Sequence, residues 1–131
     1  MKIVRAEVMG FCHGVKRAVD IVQEKLEDKD QIATLGPIVH NPNVVQKLSQ
    51  EGAKVVKSLD EVSSDSVVIT AHGAGEEIHR EIKEKGLNLV DTTCPIVHKA
   101  QDTAEELASE GFELVIYGEE DHTEVRNILG W

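Results

Sequence analysis

Aromatic residues are scarce in this chain: two Phe, one Tyr and one Trp make up 3% of its 131 residues. The hydrophobic fraction is nevertheless 40%, so a core has to be built from Val, Ile, Leu and Ala. Those residues suit buried parallel strands that are covered by helices. Length and composition therefore predict an ordinary globular domain of the α/β class and exclude a disordered chain.

Basic residues are also in deficit, and long hydrophobic runs are missing. Lys and Arg number 14 against 24 Asp and Glu, which gives a formal net charge of -10. Without a stripe of Lys and Arg the chain cannot neutralise a phosphate backbone, so nucleic acid is excluded as a partner. No apolar run reaches membrane-spanning length, so we expect no membrane partner either.

Cysteine is limited to Cys12 and Cys94. Residues 1–9 alternate polar and apolar side chains, with Arg5 and Glu7 among them, which indicates a strand rather than a secretion signal. Two cysteines without such a signal favour a reducing compartment, where cysteines serve metals or redox chemistry more often than crosslinks. The chain is therefore predicted to be cytoplasmic.

Each cysteine begins a copy of the same short sequence motif, called the cysteine phrase. CHGVKRA starts at Cys12 and CPIVHKA at Cys94, and the two share Cys, Val, a basic residue and Ala at the same offsets. The same shift of about 82 residues aligns Gly36 with Gly118 and His40 with His122. A duplicated unit that reuses a sulfur and an imidazole predicts several equivalent units aimed at one shared centre, with a third unit absent here.

Short β-branched runs alternate with amphipathic stretches, which predicts a parallel sheet with flanking helices. The predicted strands cover residues 3–8, 31–35, 53–56, 66–70, 87–90 and 112–117. Helices are predicted around apolar stripes at 15–26, 44–48, 78–82, 97–107 and 125–129, with a short helical turn at 58–61. Caps agree with these helices, since Asn41-Pro42 and Pro95 are typical starts and Gly86 and Gly111 typical ends.

The carboxyl ends of parallel strands form the ligand-binding edge of such a sheet. The candidate residues Cys12, His40, His72, Cys94 and His122 all follow predicted strands. A cysteine that starts a helix meets the positive end of the helix dipole, which favours the thiolate that ligates metals. Zinc is the weaker choice, because Cys-x-x-Cys spacing is lacking. On the residues alone, a shared anion pocket of the three histidines and a chance arrangement are equally supported.

Five segments, in order along the whole chain, carry a family resemblance. They are GFCHGVKRA from Gly10, LGPIVHNP from Leu35, TAHG from Thr70, DTTCP from Asp91 and YGEEDHTEV from Tyr117. With them the chain resembles the LytB-type 4-hydroxy-3-methylbut-2-enyl diphosphate reductases, the last enzymes of the non-mevalonate isoprenoid route. The resemblance implies three similar α/β units around a central 4Fe-4S cluster. Residues 1–94 would be the first unit and residues 95–131 an incomplete start of the second.

The resemblance also implies a role for each candidate residue. Cys12 and Cys94 would be two of the three thiolate ligands, the third cysteine being absent from this chain. His40 and His72 would hold the diphosphate, and His122 would contact the substrate near its hydroxyl. An open iron would bind that allylic hydroxyl, and two electrons from a ferredoxin- or flavodoxin-like donor plus protons would remove it as water. The products would be isopentenyl and dimethylallyl diphosphate.

Glu124 would deliver the proton in this scheme, whereas its position alone also fits an ordinary first-turn carboxylate. The family commonly has Gly-His-Pro-Glu where this chain has Asp121-His122-Thr123-Glu124, which adds a negative charge near the diphosphate. We expect the chain to be a truncated form or a naturally short relative that is not competent alone. Two alternatives stay open: a dimer that pools four cysteines around one cluster, and a cluster-free α/β module that binds phosphorylated metabolites.

Overall fold

The computed structural model describes residues 1–28 and 31–131. At its centre is a parallel four-stranded sheet in the order β2-β1-β3-β4. The strands are β1 (Ile32–Leu35), β2 (Ala53–Val56), β3 (Ser66–Ile69) and β4 (Asn88–Asp91). All neighbouring pairs are parallel, so the four carboxyl ends meet at one edge of the sheet.

Helices connect and cover these strands. They are α1 (His13–Glu27), α2 (Pro42–Glu51), α3 (Glu76–Glu84), α4 (Pro95–Ser109) and α5 (Thr123–Leu129), with a 3₁₀ turn at Leu59–Glu61. The predicted α/β class, with its parallel sheet and flanking helices, is confirmed. Within the described part of the chain, no helix combines the length and the apolarity that crossing a bilayer requires.

Two apolar layers form the core, one on each face of the sheet. Val68 of β3 packs on one face in a cluster with Val22 of α1 and Leu48 of α2. Val67 and its strand neighbour Ile69 point to the opposite face, where the cluster continues into the 3₁₀ turn and α3. Because β3 is buried on both faces, its residues 67–69 form an uninterrupted apolar run.

Two predicted strands are wrong. Neither residues 3–8 nor residues 112–117 form a strand, and Val4, Val8 and Val115 are 78%, 92% and 93% exposed. An isolated strand is unstable because its backbone groups need a partner strand. Among the described residues no segment pairs with either one, so the strand-like pattern alone does not produce a strand.

The sequence repeat is visible in the helices but not in the strands. α1 follows Cys12 and α4 follows Cys94, and each helix has 15 residues. The second copy of β1 would fall inside residues 112–117, which are not in the sheet. The division into units at residues 94 and 95 stays a prediction.

Candidate functional site

Cys12 and Cys94 are the N-caps of α1 and α4. The carbonyl oxygen of Cys12 accepts from the Lys16 amide at 2.9 Å, and that of Cys94 accepts from the His98 amide at 2.9 Å. Both cysteines are free, with Cys12 exposed and Cys94 half-buried. Each thiol therefore sits at the amino end of a four-turn helix, where the positive end of the backbone dipole lies.

These two helix starts lie side by side. A Cβ atom placed on Gly14, two residues beyond Cys12, would lie 2.5 Å from the Sγ atom of Cys94. The Arg17 guanidinium donates to the Thr93 carbonyl at 3.2 Å, which joins α1 to the residue before Cys94. The repeated cysteine phrases thus meet on one side of the molecule.

His40 and His72 form a second pair at the carboxyl edge of the sheet. His40 precedes Asn41, the N-cap of α2, and His72 lies in the loop after β3. Their ring centroids are 4.4 Å apart and their planes are tilted by 52°. His72 is only 9% exposed, whereas His40 is open to solvent.

The environment of His72 keeps its imidazole neutral at neutral pH. Burial lowers the pKa of His72 below its ordinary value of 6.5, and the neighbouring His40 lowers it further. Glu124 acts in the opposite direction, and His122 adds a smaller lowering effect. The hydroxyl of Thr70 lies 3.2 Å from Nδ1 of His72. When Nδ1 accepts a hydrogen bond from that hydroxyl group, the proton of the neutral ring is on Nε2, and the Nε2–H group is a hydrogen-bond donor.

His122 and Glu124 approach His72 from α5. His122 is the N-cap of this helix, and its Nδ1 accepts from the Glu124 amide at 3.3 Å. Glu124 is half-buried. The structure brings His40, His72, His122 and Glu124 together, while their roles toward a substrate stay predictions.

Sequence reasoning missed the residues that hold these groups in place: Arg17, Thr70, Gln101 and Asn127. Gln101 is 2% exposed and donates to the Ala74 carbonyl at 3.1 Å. Next to it is Gly73, whose φ of 76° suits glycine and whose added Cβ would lie 2.7 Å from the Gln101 amide nitrogen. The run of small residues after His72 was the one available signal, since side chains that donate to backbone carbonyls leave no periodic pattern.

One cleft in the described part of the chain does not include the histidine cluster. It has a volume of about 580 Å³ and lies between the 3₁₀ turn, α3 and α5. Its lining includes Lys57 and Arg126 together with Asp60, Glu77 and Glu81. None of the six candidate residues lines it.

The donor set fits part of an iron–sulfur site. Cys12 and Cys94 supply two thiols from adjacent helix starts, and thiolates are the ligands of such clusters. No group of three or more His, Cys, Asp or Glu side chains that could hold a metal ion occurs in the described ranges. Since the sequence has only two cysteines, any further thiolate has to come from outside this chain.

Comparison with known proteins decides the family. The family model described as LytB protein matches residues 3–131. The chain belongs to the LytB family. Curated relatives that match this chain are named 4-hydroxy-3-methylbut-2-enyl diphosphate reductase. The protein from Dehalococcoides mccartyi strain CBDB1 is 45% identical over 131 residues, and the match covers 100% of this chain and 46% of the relative.

A second relative of that name, from Geobacter metallireducens, is 40% identical and is likewise covered to 46% of its length. The chain therefore spans about half the length of the curated relatives that it matches. Two solved structures share its LytB fold. The E-1-hydroxy-2-methyl-but-2-enyl-4-diphosphate reductase of Plasmodium falciparum matches with a TM-score of 0.90 and 34% identity over 95% of this chain and 40% of that one.

The other solved structure is described as (E)-4-hydroxy-3-methyl-but-2-enyl diphosphate reductase, the terminal enzyme of the non-mevalonate pathway. It matches with a TM-score of 0.82 and 38% identity over 98% of this chain and 46% of that one. Sequence and fold agree on the LytB family, and both comparisons cover roughly half of the longer proteins.

Proposed function

We propose that this chain forms part of a 4-hydroxy-3-methylbut-2-enyl diphosphate reductase, supplying two cluster-ligating thiolates and part of the diphosphate pocket. The observation that carries the proposal is the packing of the Cys94 thiol on Gly14, which brings the two repeated helix starts together. The names of the curated relatives support the same reaction.

Cys12 and Cys94 would hold the cluster, and at least one more thiolate would come from the remainder of a longer protein or from a partner chain. A bound cluster would supply electrons and a Lewis-acidic iron. A ferredoxin- or flavodoxin-like protein would deliver those electrons. Two exposed or half-exposed thiols suit a reducing cytoplasm, where they stay unoxidised.

The histidines would bind the diphosphate. A neutral His72 offers its Nε2–H group to a phosphate oxygen, and His40 beside it offers a second donor. Because a diphosphate brings negative charge to the His72 ring, its binding favours the protonated form of that ring. The attraction between the diphosphate and the histidines offsets the repulsion of this anion by the net charge of -10 on the chain.

Glu124 would supply a proton, and His122 would contact the substrate near its hydroxyl. The reaction breaks the allylic C–O bond, consumes two electrons and two protons, releases water, and leaves isopentenyl or dimethylallyl diphosphate. The half-buried position of Glu124 and its electrostatic effect on His72 support this role. General acids of this kind contribute about 10²–10⁴-fold to rates.

A chimera tests the proposal. This chain replaces the matching 131 residues of the Dehalococcoides mccartyi relative, and iron, acid-labile sulfide and substrate turnover are measured under anaerobic conditions. We expect a brown protein that turns over. Cys12→Ser and Cys94→Ser should each lose iron, Glu124→Gln should keep iron but lose about 10²–10⁴-fold in turnover, and Ser109→Ala should behave as the parent chimera.

Other outcomes favour the alternatives. A folded chimera that contains no iron contradicts the proposal, and so does unchanged iron content after Cys12→Ser. If the isolated chain binds inorganic pyrophosphate but never iron, the cluster-free metabolite module is correct. If it retains iron only as a dimer, measured by its mass in solution, two chains pool their four cysteines.

A further inference from the structure

α5 contains the candidate site residue Glu124, and its N-cap is the candidate residue His122. The helix has 7 residues, and none of them is buried. Its outer residue Leu129 is 61% exposed. So short a helix is unstable by itself, because few hydrogen bonds follow its costly first turn. Its position beside His72 therefore depends on what attaches it to the rest of the molecule.

One part of this attachment is a set of hydrogen bonds to a single loop, and α5 also packs against α4. The Nδ2 atom of Asn127 donates to the carbonyl oxygens of His72 at 3.1 Å and of Gly73 at 2.6 Å. Nε1 of Trp131 donates to the Ala74 carbonyl at 2.9 Å. In the other direction, the Glu76 amide donates to the Gly130 carbonyl at 3.1 Å. Residues 127–131 thus contact the backbone of residues 72–76 from end to end.

From this geometry we propose that Asn127 is a positioning residue, which clamps α5 to the His72 loop and so sets His122 and Glu124 beside the His72 ring. An amide nitrogen carries two N–H donors, so a single side chain satisfies two carbonyl groups. Both carbonyls belong to buried residues, and a buried carbonyl left without a donor is costly. The importance of this placement rests on the proposed function, whereas the clamp itself does not.

Asn127→Ala tests the clamp in the intact chain. Alanine is the better helix former, so any weakening reports lost attachment rather than lost helix propensity. Trp131 is the only tryptophan, and its ring lies 5.5 Å from that of His79. We expect its emission to shift to the red as the indole enters water. Trypsin should cleave after Arg126 and release residues 127–131 about tenfold faster.

A third readout reports on the site itself. If α5 leaves, the burial of His72 is relieved, and its pKa, followed by NMR, should rise toward the ordinary value of 6.5. Asn43→Ala, at an exposed position of α2, is the matched control and should change none of the three measurements. Asn127→Gln keeps both N–H groups and should recover part of the protection, which a general failure to fold would not permit.

Unchanged Trp131 emission and unchanged cleavage after Arg126 in Asn127→Ala would overturn the clamp. So would equal losses in Asn127→Ala and Asn127→Gln. None of these measurements involves iron or substrate. The clamp can therefore fail while the chimera still binds iron and turns over, and it can hold while the chimera does not.

Discussion

Gly14 shows how one missing side chain brings the two cysteine phrases together. Its φ is not positive, so backbone conformation does not demand glycine here. What demands it is space, since an added Cβ would lie 2.5 Å from Sγ and 3.1 Å from Cβ of Cys94. Gly14 is also buried, and because the Cβ atom of Cys94 is close as well, rotation of the thiol alone does not relieve the crowding.

We therefore expect Gly14→Ala to be destabilising by about 1–3 kcal/mol, the range for overpacking. A double-mutant cycle measured by urea unfolding isolates the cause. In a Cys94→Ala background the sulfur is gone, and Gly14→Ala should cost much less. Additive effects of the two changes would mean that the thiol does not press on Gly14.

His72 makes stability depend on pH. Its folded pKa is lower than the 6.5 of the unfolded chain, so the unfolded state binds the proton more readily. The free energy of unfolding should consequently fall as the pH decreases below about 6.5 and continue to fall through the folded pKa. The measurement compares the chain with His72→Asn between pH 7.5 and pH 5.

The difference between the two proteins is the informative quantity, because carboxylates and the other histidines titrate in both. We expect a steeper loss of stability in the parent chain. Parallel curves would show that the burial of His72 and its contact with His40 do not disfavour its charged form.

At the scale of elements, the helices were predictable because their signals are local. Asn41 accepts from the amides of Asn43 at 3.1 Å and Val44 at 3.3 Å, and Pro42 starts α2 without losing a needed donor.

Asn41→Ala should lower the free energy of unfolding by about 1 kcal/mol. Asn43→Ala, an exposed change in the same helix, should stay within about 0.5 kcal/mol. Equal effects of the two substitutions would show that the Asn41 cap does not stabilise α2.

Strands were predictable only where the sequence also supplied their partners. The apolar run of β3 pairs with β1 and β4, and its bounds agree with the prediction to within one residue. Residues 3–8 have an equally good alternating pattern but no neighbour among the described residues. The alternation of apolar and polar residues shows which face of a segment prefers burial, whereas strand pairing depends on a distant segment.

The residues of the candidate site also differ in whether the sequence could reveal them. The repeat revealed Cys12, Cys94, His40 and His122 because duplication leaves a trace in the sequence. Asn127 left none, since its partners are backbone carbonyls 54 and 55 residues away. The neighbourhood of Gly14 and Cys94 was equally invisible, because a glycine in a helix carries no record of what packs on it.

For the whole molecule, exposed apolar side chains concentrate in the two segments that lie outside the sheet. Ile3, Val4, Val8 and Met9 are exposed at one end of the chain. Phe112, Leu114, Val115 and Tyr117 are exposed near the other. A monomer seldom leaves that much apolar surface in contact with water, so both segments are suited to burial against other protein.

Hydrogen exchange tests whether these segments become strands in a longer protein. Amides of residues 3–8 and 113–117 should exchange at nearly unprotected rates in this chain. In the chimera with the rest of the Dehalococcoides mccartyi relative, they should slow by about a hundredfold or more, which corresponds to roughly 3 kcal/mol of opening free energy. Val67 and Val68 of β3 serve as the control, because their strand is paired on both sides and should be protected in both proteins. Rapid exchange at 3–8 and 113–117 in a chimera that holds iron would show that the alternating pattern reflects surface contact without strand pairing.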